Sequence, residues 1–194
     1  MNKLYLASRS PRRRELLGQL GIACEVLPSD VDESVLPDET PEHYVLRLAR
    51  EKALVCARRV AREGLADLPV LAADTTVCVD GIILGKPEDD ADAAAMLRRL
   101  SGRCHAVHTA VAVARGGRVE IALSSTEVEF ADLSAAEIAA YVASGEPRDK
   151  AGAYGIQGLA GVFARRIEGS YSGVMGLPIY ETAQLLKKFG VILP

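Results

Sequence analysis

The sequence predicts an α/β fold built on a mixed β-sheet. Short apolar runs with strand character alternate along the chain with segments of helical periodicity, which is typical of a sheet flanked by helices. Tight turns join several neighbouring runs, as at Asp80-Gly81 and at 115–117, and these turns indicate antiparallel hairpins. We therefore expect parallel and antiparallel strands in one sheet, not a purely parallel, doubly wound one.

The composition indicates one globular domain, with room for two lobes. The chain has 194 residues, of which 49% are hydrophobic and 25% are charged, as in ordinary globular proteins. Its formal net charge is -3, whereas a general nucleic-acid-binding protein is usually basic. Positive charge is instead concentrated near the N-terminus, which suits a small polyanion better than a long one.

The cysteines and the first apolar run lead us to expect a cytoplasmic protein. Four cysteines lie far apart, without a C-x-x-C pair or a histidine at ligand spacing, so we expect free and mostly buried thiols, not a zinc site: Cys24, Cys56, Cys78 and Cys104. The run from Leu4 to Ala7 is too short for the core of a signal peptide. No later segment is apolar for long enough to span a bilayer.

The first predicted strand and helix indicate a phosphate site. Residues 3–7 predict a strand and 11–20 predict a helix that Gly21 ends, with Ser10 as the N-cap and Pro11 at the first helical position. Four arginines lie on or beside the helix start: Arg9, Arg12, Arg13 and Arg14. The free N–H groups and the dipole of a helix N-terminus attract anions. A merely solvated basic turn is the alternative, but arginines there oppose the helix dipole.

An acidic loop follows the next short strand, Ala23 to Leu27, and contains Asp30, Asp32 and Glu33. These carboxylates repel one another unless a positive group lies among them. Solvation of the loop and coordination of a divalent ion by its oxygens both fit the spacing.

A long helix is predicted next, from Thr40 and Pro41 to about Glu63, with Gly64 after it. Lys52 falls inside this helix. Because a helical lysine is usually a surface residue, the pattern alone does not single it out.

The most conspicuous carboxylate in the sequence is Asp74. The continuously apolar run Val70 to Ala73 predicts a buried central strand, and Asp74 comes at its end. An acid there is costly unless it is paired, hydrogen-bonded or used in chemistry. The hairpin turn at Asp80-Gly81 would return Lys86 towards Asp74, either as a structural buried ion pair or as a catalytic arrangement.

The second half of the chain continues the alternation of elements. The patterns predict a helix capped by Asp89 and running to Leu100, strands at 105–114 and 118–130, a helix from Ser134 to about Tyr141, a strand at 161–167, a glycine-rich turn at 169–176 and a helix from Pro178 to about Lys188. His105 and His108 fall on opposite faces of their strand, so they do not predict a shared metal. The loop at 149–158 is glycine-rich but carries Tyr154 and Gln157, which favours a loop that approaches a ligand.

Six ordered motifs resemble the Maf family of nucleoside triphosphate pyrophosphatases, and the resemblance extends from the first strand to Gly176-Leu177-Pro178. The motifs are Ala7-Ser8-Arg9-Ser10-Pro11-Arg12-Arg13, Asp32-Glu33, Ala49-Arg50-Glu51-Lys52-Ala53, Ala73-Asp74-Thr75, Gly85-Lys86-Pro87 and the loop from Asp149 to Gly158. Arg9 stands where a small residue is frequent and Ala72 where glycine is frequent, and neither change removes a functional group.

The resemblance implies an elongated, twisted mixed sheet with helices around a deep central cleft, related to the inosine triphosphatase architecture. It implies hydrolysis between the α and β phosphates, with a divalent cation, Mg²⁺ or Mn²⁺, as cofactor. A homodimer that acts on a small nucleotide, without nucleic acid or membrane, is also implied. Proteins of this kind are linked to inhibition of septum formation, so a non-enzymatic role in cell division is the alternative class.

The resemblance also implies a role for nine residues. Asp74 matches the proton acceptor and, together with Glu33, the metal site. Phosphate contacts are implied for Ser8, Arg12, Lys52 and Lys86, and substrate choice for Arg13, Thr75 and Gln157. The Asp-Thr and Gly-Ile-Gln-Gly pattern resembles the branch that acts on dTTP and UTP, not the branch that prefers 7-methyl-GTP.

The chemistry of Gln157 fits a pyrimidine-reading role. Its amide offers a donor and an acceptor side by side, complementary to the edge of uracil or thymine. A site built on such hydrogen bonds rejects a base that leaves them unmade. The alternative is that Gln157 only satisfies the backbone of its own loop.

Overall fold

The computed structural model describes residues 3–192, and this part of the chain forms a seven-stranded sheet with flanking helices. The strands are β1 Lys3–Leu6, β2 Ala23–Val26, β3 Val70–Val79, β4 Ile82–Leu84, β5 Cys104–Arg115, β6 Arg118–Phe130 and β7 Ala164–Glu168. The helices are α1 Pro11–Gln19, α2 Pro41–Arg62, α3 Asp90–Leu100, α4 Ala135–Ala143, α5 Tyr171–Val174 and α6 Ile179–Lys188. Short 3₁₀ turns lie at Glu146–Asp149, Ala151–Ala153 and Leu159–Val162.

The sheet is mixed, as the hairpin signals predicted. Its strand order is β2-β1-β3-β5-β6-β7, and β4 pairs with β3. β1 lies parallel to both β2 and β3, whereas β3, β5, β6 and β7 are successively antiparallel. The β3–β4 hairpin turns at Asp80-Gly81, where both residues have positive φ, as a two-residue hairpin turn requires.

Side chains of β3 alternate between two apolar cores. Val70 and Ala72 face α2, while Leu71 and Ala73 face the side on which α1 and α6 pack. Further along the strand, Val77 contributes to a third core that contains residues of α3 and α4. The polar residues of β3 therefore lie between separate cores, where the helices leave a cleft.

A gap along one edge of β3 creates this cleft. β5 pairs with β3 continuously from Val70 to Cys78. On the other edge, β1 pairs only as far as Leu71 and β4 begins only at Val77. The Ala7 amide donates to the Leu71 carbonyl, so the odd-numbered peptide groups of β3 point to this edge. By the same alternation, those of Ala73 and Thr75 point into the gap.

The predicted position of Asp74 at a strand end is wrong. The strand continues through Asp74 to Val79, because β5 supplies a partner along its whole length and β4 covers the far end of the other edge. The apolar run stops at Ala73 because the strand there crosses the open cleft. The change from apolar to polar residues after Ala73 therefore marks the cleft, not the end of β3.

Several smaller predictions also need correction. β7 begins at Ala164, not Gly161, because a 3₁₀ turn occupies Leu159–Val162. The glycine-rich turn at 169–176 contains the short helix α5. Pro11 does begin α1, but the Ser10 side chain makes no capping hydrogen bond.

The sequence also made predictions about the cysteines and about membrane-spanning segments. The four cysteines are free, and only Cys56 and Cys78 are buried, so "mostly buried" was too strong. Within the range 3–192, every helix is too short or too polar to cross a membrane.

Candidate active site

The cleft beside β3 has a volume of about 620 Å³ and brings together all nine residues that the sequence marked. Its lining comes from the turn after β1, the acidic loop before α2, the middle of β3, the end of the β4 hairpin and the loop at 149–157. These segments are distant in sequence, and the gap in the sheet is what lets them meet.

The floor of the cleft carries a cluster of three charged side chains. Lys52 Nζ lies 2.6 Å from Asp74 Oδ1 and 2.6 Å from Glu33 Oε1. Lys52 and Asp74 are both buried, whereas about half of the Glu33 side chain is exposed. One ammonium group between two carboxylates leaves a net negative charge, so the cluster can attract a further cation.

Burial and Lys52 shift the pKa values of the two carboxylates in opposite directions. Burial raises the pKa of Asp74 above its ordinary value, although the neighbouring Lys52 opposes this shift. Burial alone would also raise the pKa of Glu33, but the hydrogen bond and charge of Lys52 outweigh it and lower that pKa. Asp74 is therefore the better proton acceptor and Glu33 the more persistent anion.

The two carboxylates fit a divalent cation bound together with a phosphate. Each uses one oxygen on Lys52, and the other oxygen of each accepts no hydrogen bond from residues 3–192. Mg²⁺ is commonly held by one or two carboxylates, with water and substrate phosphates as the remaining ligands. In the described part of the chain, no group of three or more His, Cys, Asp or Glu side chains forms a complete metal site. A cation here would take its remaining ligands from water and from the substrate.

The N-terminal wall of the cleft is the start of α1, where the sequence predicts an anion site. Ser8 Oγ accepts from the Ser10 amide at 3.2 Å and from Arg13 Nη1 at 3.1 Å. Arg12 reaches across the cleft mouth to Asp149, with Nη1 3.5 Å from Oδ2. This contact is long and partly exposed, so a phosphate can replace it at little cost.

Arg13 lies on the opposite face of β3 from Asp74. Its Nε donates to the Gly176 carbonyl at 2.8 Å and its Nη2 to Thr75 Oγ1 at 3.3 Å. Thr75 Oγ1 also accepts from Thr109 Oγ1 at 2.9 Å. Burial lowers the pKa of Arg13, while the charge of Asp74 opposes that shift. Asp74 and Thr75 are adjacent in sequence, but successive side chains of a strand point to opposite faces of the sheet. The predicted proton acceptor and the predicted specificity residue therefore lie on different faces.

Gln157 lies in the far wall, in the loop between the 3₁₀ turns. Its side chain is exposed to the cleft and makes no hydrogen bond to another residue of the 3–192 range. The alternative that Gln157 satisfies its own loop backbone therefore finds no hydrogen bond to support it. Its amide is available to a ligand.

The chain is similar to several known proteins. A family model described as "Maf-like protein" matches residues 3–189. The chain belongs to this family. Two curated relatives, both named dTTP/UTP pyrophosphatase, come from Methylobacillus flagellatus and Chromobacterium violaceum. The first is 64% identical over 100% of this chain and 96% of its own length, and the second is 59% identical over 99% and 97%. The solved Staphylococcus aureus Ham1 protein is similar over 67% of this chain and 72% of its own, with a TM-score of 0.42 and 15% identity.

The structure decides what the sequence pattern left open about two lysines of this Maf-like protein. Lys52 is not a surface residue, because α2 packs against the sheet at that level and directs Lys52 to the cleft floor. The buried pair of Asp74 with Lys86 does not form. Lys86 is exposed at the cleft edge, and Lys52 occupies the position beside Asp74. Of the three acidic-loop carboxylates, only Glu33 contacts the charged cluster, while Asp32 accepts from Ser34.

Sequence reasoning missed Tyr44 and Arg47. The Tyr44 hydroxyl donates to the Glu33 carbonyl at 2.9 Å, and burial, with the charges of Asp74 and Glu33, raises its pKa to about 12. Arg47 donates to both oxygens of Glu39 at 2.6 and 2.7 Å and to the Ser34 carbonyl at 2.9 Å. The available signal was spacing, because Tyr44 lies two helical turns before Lys52 on the same face of α2.

Proposed function

We propose that this Maf-like protein hydrolyses dTTP and UTP between the α and β phosphates, giving the nucleoside monophosphate and pyrophosphate. The observation that carries the proposal is the buried Asp74 carboxylate on the cleft floor, in contact with Lys52 and close to Glu33. The names of the curated relatives support the same substrates.

The basic groups around the cleft suit a triphosphate. Arg12 and the first amides of α1 lie on one side, with Lys52 on the floor and Lys86 at the edge. Hydrolysis of a phosphate anhydride needs charge neutralisation and alignment more than covalent chemistry. These residues would hold the chain of phosphates with the α phosphorus above Asp74, and Ser8 would add a neutral donor.

Asp74 would orient and deprotonate the attacking water. Its second oxygen is free of protein hydrogen bonds within residues 3–192, so it can accept a proton, and its raised pKa makes it a stronger base than an exposed aspartate. The water oxygen forms a bond to the α phosphorus as the bond to the bridging oxygen breaks. Pyrophosphate then leaves with the bridging oxygen.

Glu33 and Asp74 would hold the divalent cation. A bound Mg²⁺ or Mn²⁺ would supply positive charge to the phosphates and to the departing pyrophosphate. Lys52 contacts both carboxylates already, so it can move towards the phosphates when a cation neutralises the pair.

Thr75, Arg13 and Gln157 would select the base. Gln157 is the exposed amide in the far wall, and Arg13 connects Thr75 with the segment before α6. An amide donor beside an amide acceptor matches the edge of uracil or thymine. The proposal therefore assigns pyrimidine choice to the face of the sheet that does not carry Asp74.

Pyrophosphate release from a panel of nucleoside triphosphates tests the proposal. With Mg²⁺ or Mn²⁺, we expect rapid turnover of dTTP and UTP by the wild type. The Asp74→Asn variant should lose at least about 100-fold in kcat with little change in KM, because it removes a general base and keeps the shape of the side chain. Turnover confined to 7-methyl-GTP would refute the choice of base, and no turnover of any nucleotide would refute the reaction.

We further propose that the chain is one Maf-like domain with two lobes around the cleft, and that it acts in the cytoplasm as a homodimer. The passage of β3 from one core to the next, across the cleft, supports the single domain. Sedimentation of the full chain measures the dimer. A role in septum formation stays a prediction, and an effect on division that survives Asp74→Asn would separate it from hydrolysis.

A further inference from the structure

Glu146 lies outside the cleft lining, just after α4, yet the loop that carries Gln157 folds around its carboxylate. Oε1 accepts from the Tyr141 hydroxyl at 2.9 Å. Oε2 accepts from the Leu159 amide at 2.9 Å, on the far side of Gln157. One side chain therefore connects the helix before the loop with the turn after it.

The glycines on either side of Gln157 make room for this carboxylate. A Cβ at Gly158 would overlap Glu146, with its Oε2 and Cδ only 2.6 Å away. A Cβ at Gly155 would come within 3.3 Å of Glu146 Oε1 and 2.7 Å of Lys150 Cε. Neither glycine has a positive φ, so the close approach, not backbone conformation, explains the absence of a side chain.

Two more hydrogen bonds hold the loop that carries Gln157. The Gly155 amide donates to the Tyr141 hydroxyl at 3.2 Å, so that hydroxyl bridges the loop backbone and Glu146. Lys150 Nζ donates to the Glu146 carbonyl at 2.6 Å. The loop backbone before and after Gln157 is thus fixed through one residue that does not line the cleft.

We propose that Glu146 is a positioning residue that sets base selectivity by fixing the backbone from which Gln157 reads the pyrimidine edge. The inference rests on the proposed function, because it needs Gln157 to contact the base. Glu146 touches neither Asp74 nor the residues assigned to the phosphates, so it acts only on selection.

The direction of the effect follows from the chemistry of the amide. Uracil and thymine present a ring N–H donor beside carbonyl acceptors, whereas cytosine presents a ring acceptor beside an amino donor. An amide placed to donate to a carbonyl and accept from the ring N–H therefore matches uracil and thymine and mismatches cytosine. The Gln157 side chain has no protein partner of its own within residues 3–192, so the position of its amide depends on the backbone that Glu146 holds. A displaced amide loses its hydrogen bonds to uracil or thymine, whereas cytosine has few such bonds to lose.

The test compares kcat and KM for dTTP, UTP and dCTP in the wild type and in Glu146→Gln. This variant keeps the size of the side chain but presents an NH₂ group to a site that holds two donors. We expect kcat/KM for dTTP and UTP to fall about tenfold, mainly through KM, while the value for dCTP stays within about twofold. Discrimination against dCTP would therefore fall about tenfold.

Glu137→Gln is the matched control, because Glu137 completes the capping box of α4 and is exposed. It weakens the same helix without contacting the loop and should leave the dTTP to dCTP ratio unchanged. Gly158→Ala adds a second arm. It should reproduce the selective loss in the wild type, where its Cβ overlaps Glu146, and should add little in a Glu146→Ala background.

If Glu146→Gln changes kcat/KM equally for dTTP, UTP and dCTP, or changes none of them, the inference is overturned. The proposed function would still stand. Failure of the wild type to hydrolyse dTTP and UTP would instead refute the proposed function. A thermal melt of each variant identifies a general loss of folding, which would lower all three rates together.

Discussion

Two irregular loops face each other across the cleft, and they are supported in different ways. The loop at 27–40 carries Glu33 and is held from outside by side chains and one carbonyl of α2. The Cys56 thiol lies 3.3 Å from the Leu27 carbonyl, and Ser29 Oγ donates to the Lys52 carbonyl at 2.9 Å. The Tyr44 hydroxyl donates to the Glu33 carbonyl, and Arg47 donates to the Ser34 carbonyl.

The loop at 146–158 is supported by an enclosed carboxylate and by packing against the sheet. It encloses the carboxylate of Glu146, and its residues Tyr154 and Ile156 are buried in the core beside β3 and β5. The Tyr154 hydroxyl also lies 2.8 Å from His105 Nε2. The first loop is thus fixed by polar contacts with a long helix, while the second is fixed by an enclosed carboxylate and by packing in an apolar core. Changes in the second can alter the choice of substrate without disturbing the residues assigned to chemistry.

Lys52→Met should have the largest effect, because Lys52 belongs to both the helix and the cluster. The variant leaves two carboxylates without their cation, so we expect at least about 100-fold lower kcat/KM and about 3 kcal/mol lower free energy of unfolding. Lys52 also holds the pKa of Asp74 down, so its removal should move the acidic limb of the pH profile of kcat/KM to higher pH.

Kinetics from acid to neutral pH, together with urea unfolding, measure both effects. Lys86→Met is the comparison, because Lys86 lines the cleft but is exposed and outside the cluster. It should weaken substrate binding without moving the acidic limb. An acidic limb at the same pH in Lys52→Met and wild type would show that Lys52 does not lower the pKa of Asp74.

Acid should weaken the second loop through His105. Burial lowers the pKa of His105 from the ordinary 6.5 to about 4, so the folded protein keeps it neutral where the unfolded chain binds a proton. Stability should therefore fall as the pH drops from 6.5 towards 4, by up to about 3 kcal/mol from this residue. Urea unfolding at several pH values should give a flatter dependence for His105→Gln. Equal slopes in the two proteins would contradict this role.

Arg47→Met should loosen the first loop while the cluster residues stay in place. The variant loses the bidentate hydrogen bonds to the Glu39 carboxylate and the hydrogen bond to the Ser34 carbonyl. We expect kcat/KM to fall about tenfold, with a weaker apparent affinity for Mg²⁺ because Glu33 is less well fixed. Arg50→Met, an exposed residue of the same helix, should change neither quantity. Equal losses for the two variants would point to helix stability, not loop position.

Tyr44→Phe should have the smallest effect, because it removes one hydroxyl and one hydrogen bond to the Glu33 carbonyl. A bond of this kind contributes about 1 kcal/mol, which corresponds to about a fivefold lower apparent affinity for Mg²⁺. The ratio of dTTP to dCTP turnover should not change. A changed ratio would mean that the two loops are not independent.

Local sequence patterns predicted most of the fold. Capping residues and turn glycines located the helix ends, as at Asp89 and Ser134, whose side chains do accept capping hydrogen bonds. Period-two alternation located β5 and β6 to within a residue. These signals are local, so they need no knowledge of what packs against them.

The features that the sequence did not predict depend on contacts between distant segments. Lys52 looks like any helical lysine until the sheet brings Asp74 to it, and the true extent of β3 depends on partners from β4 and β5. No local pattern singled out Glu146, because the role proposed for it depends on the two glycines that pack around it. The family resemblance marked the residues that line the cleft but not those that support its loops.

Pyrophosphate release by the wild type, Asp74→Asn and Gln157→Ala, measured on dTTP, UTP, dCTP and GTP, separates chemistry from selection most directly. Asp74→Asn should lower kcat for every nucleotide that the wild type hydrolyses by a similar factor of at least about 100. Gln157→Ala should lower kcat/KM for dTTP and UTP about tenfold and leave dCTP and GTP nearly unchanged. A uniform loss for Gln157→Ala, matching the pattern of Asp74→Asn, would contradict the division of roles between the floor and the far wall of the cleft.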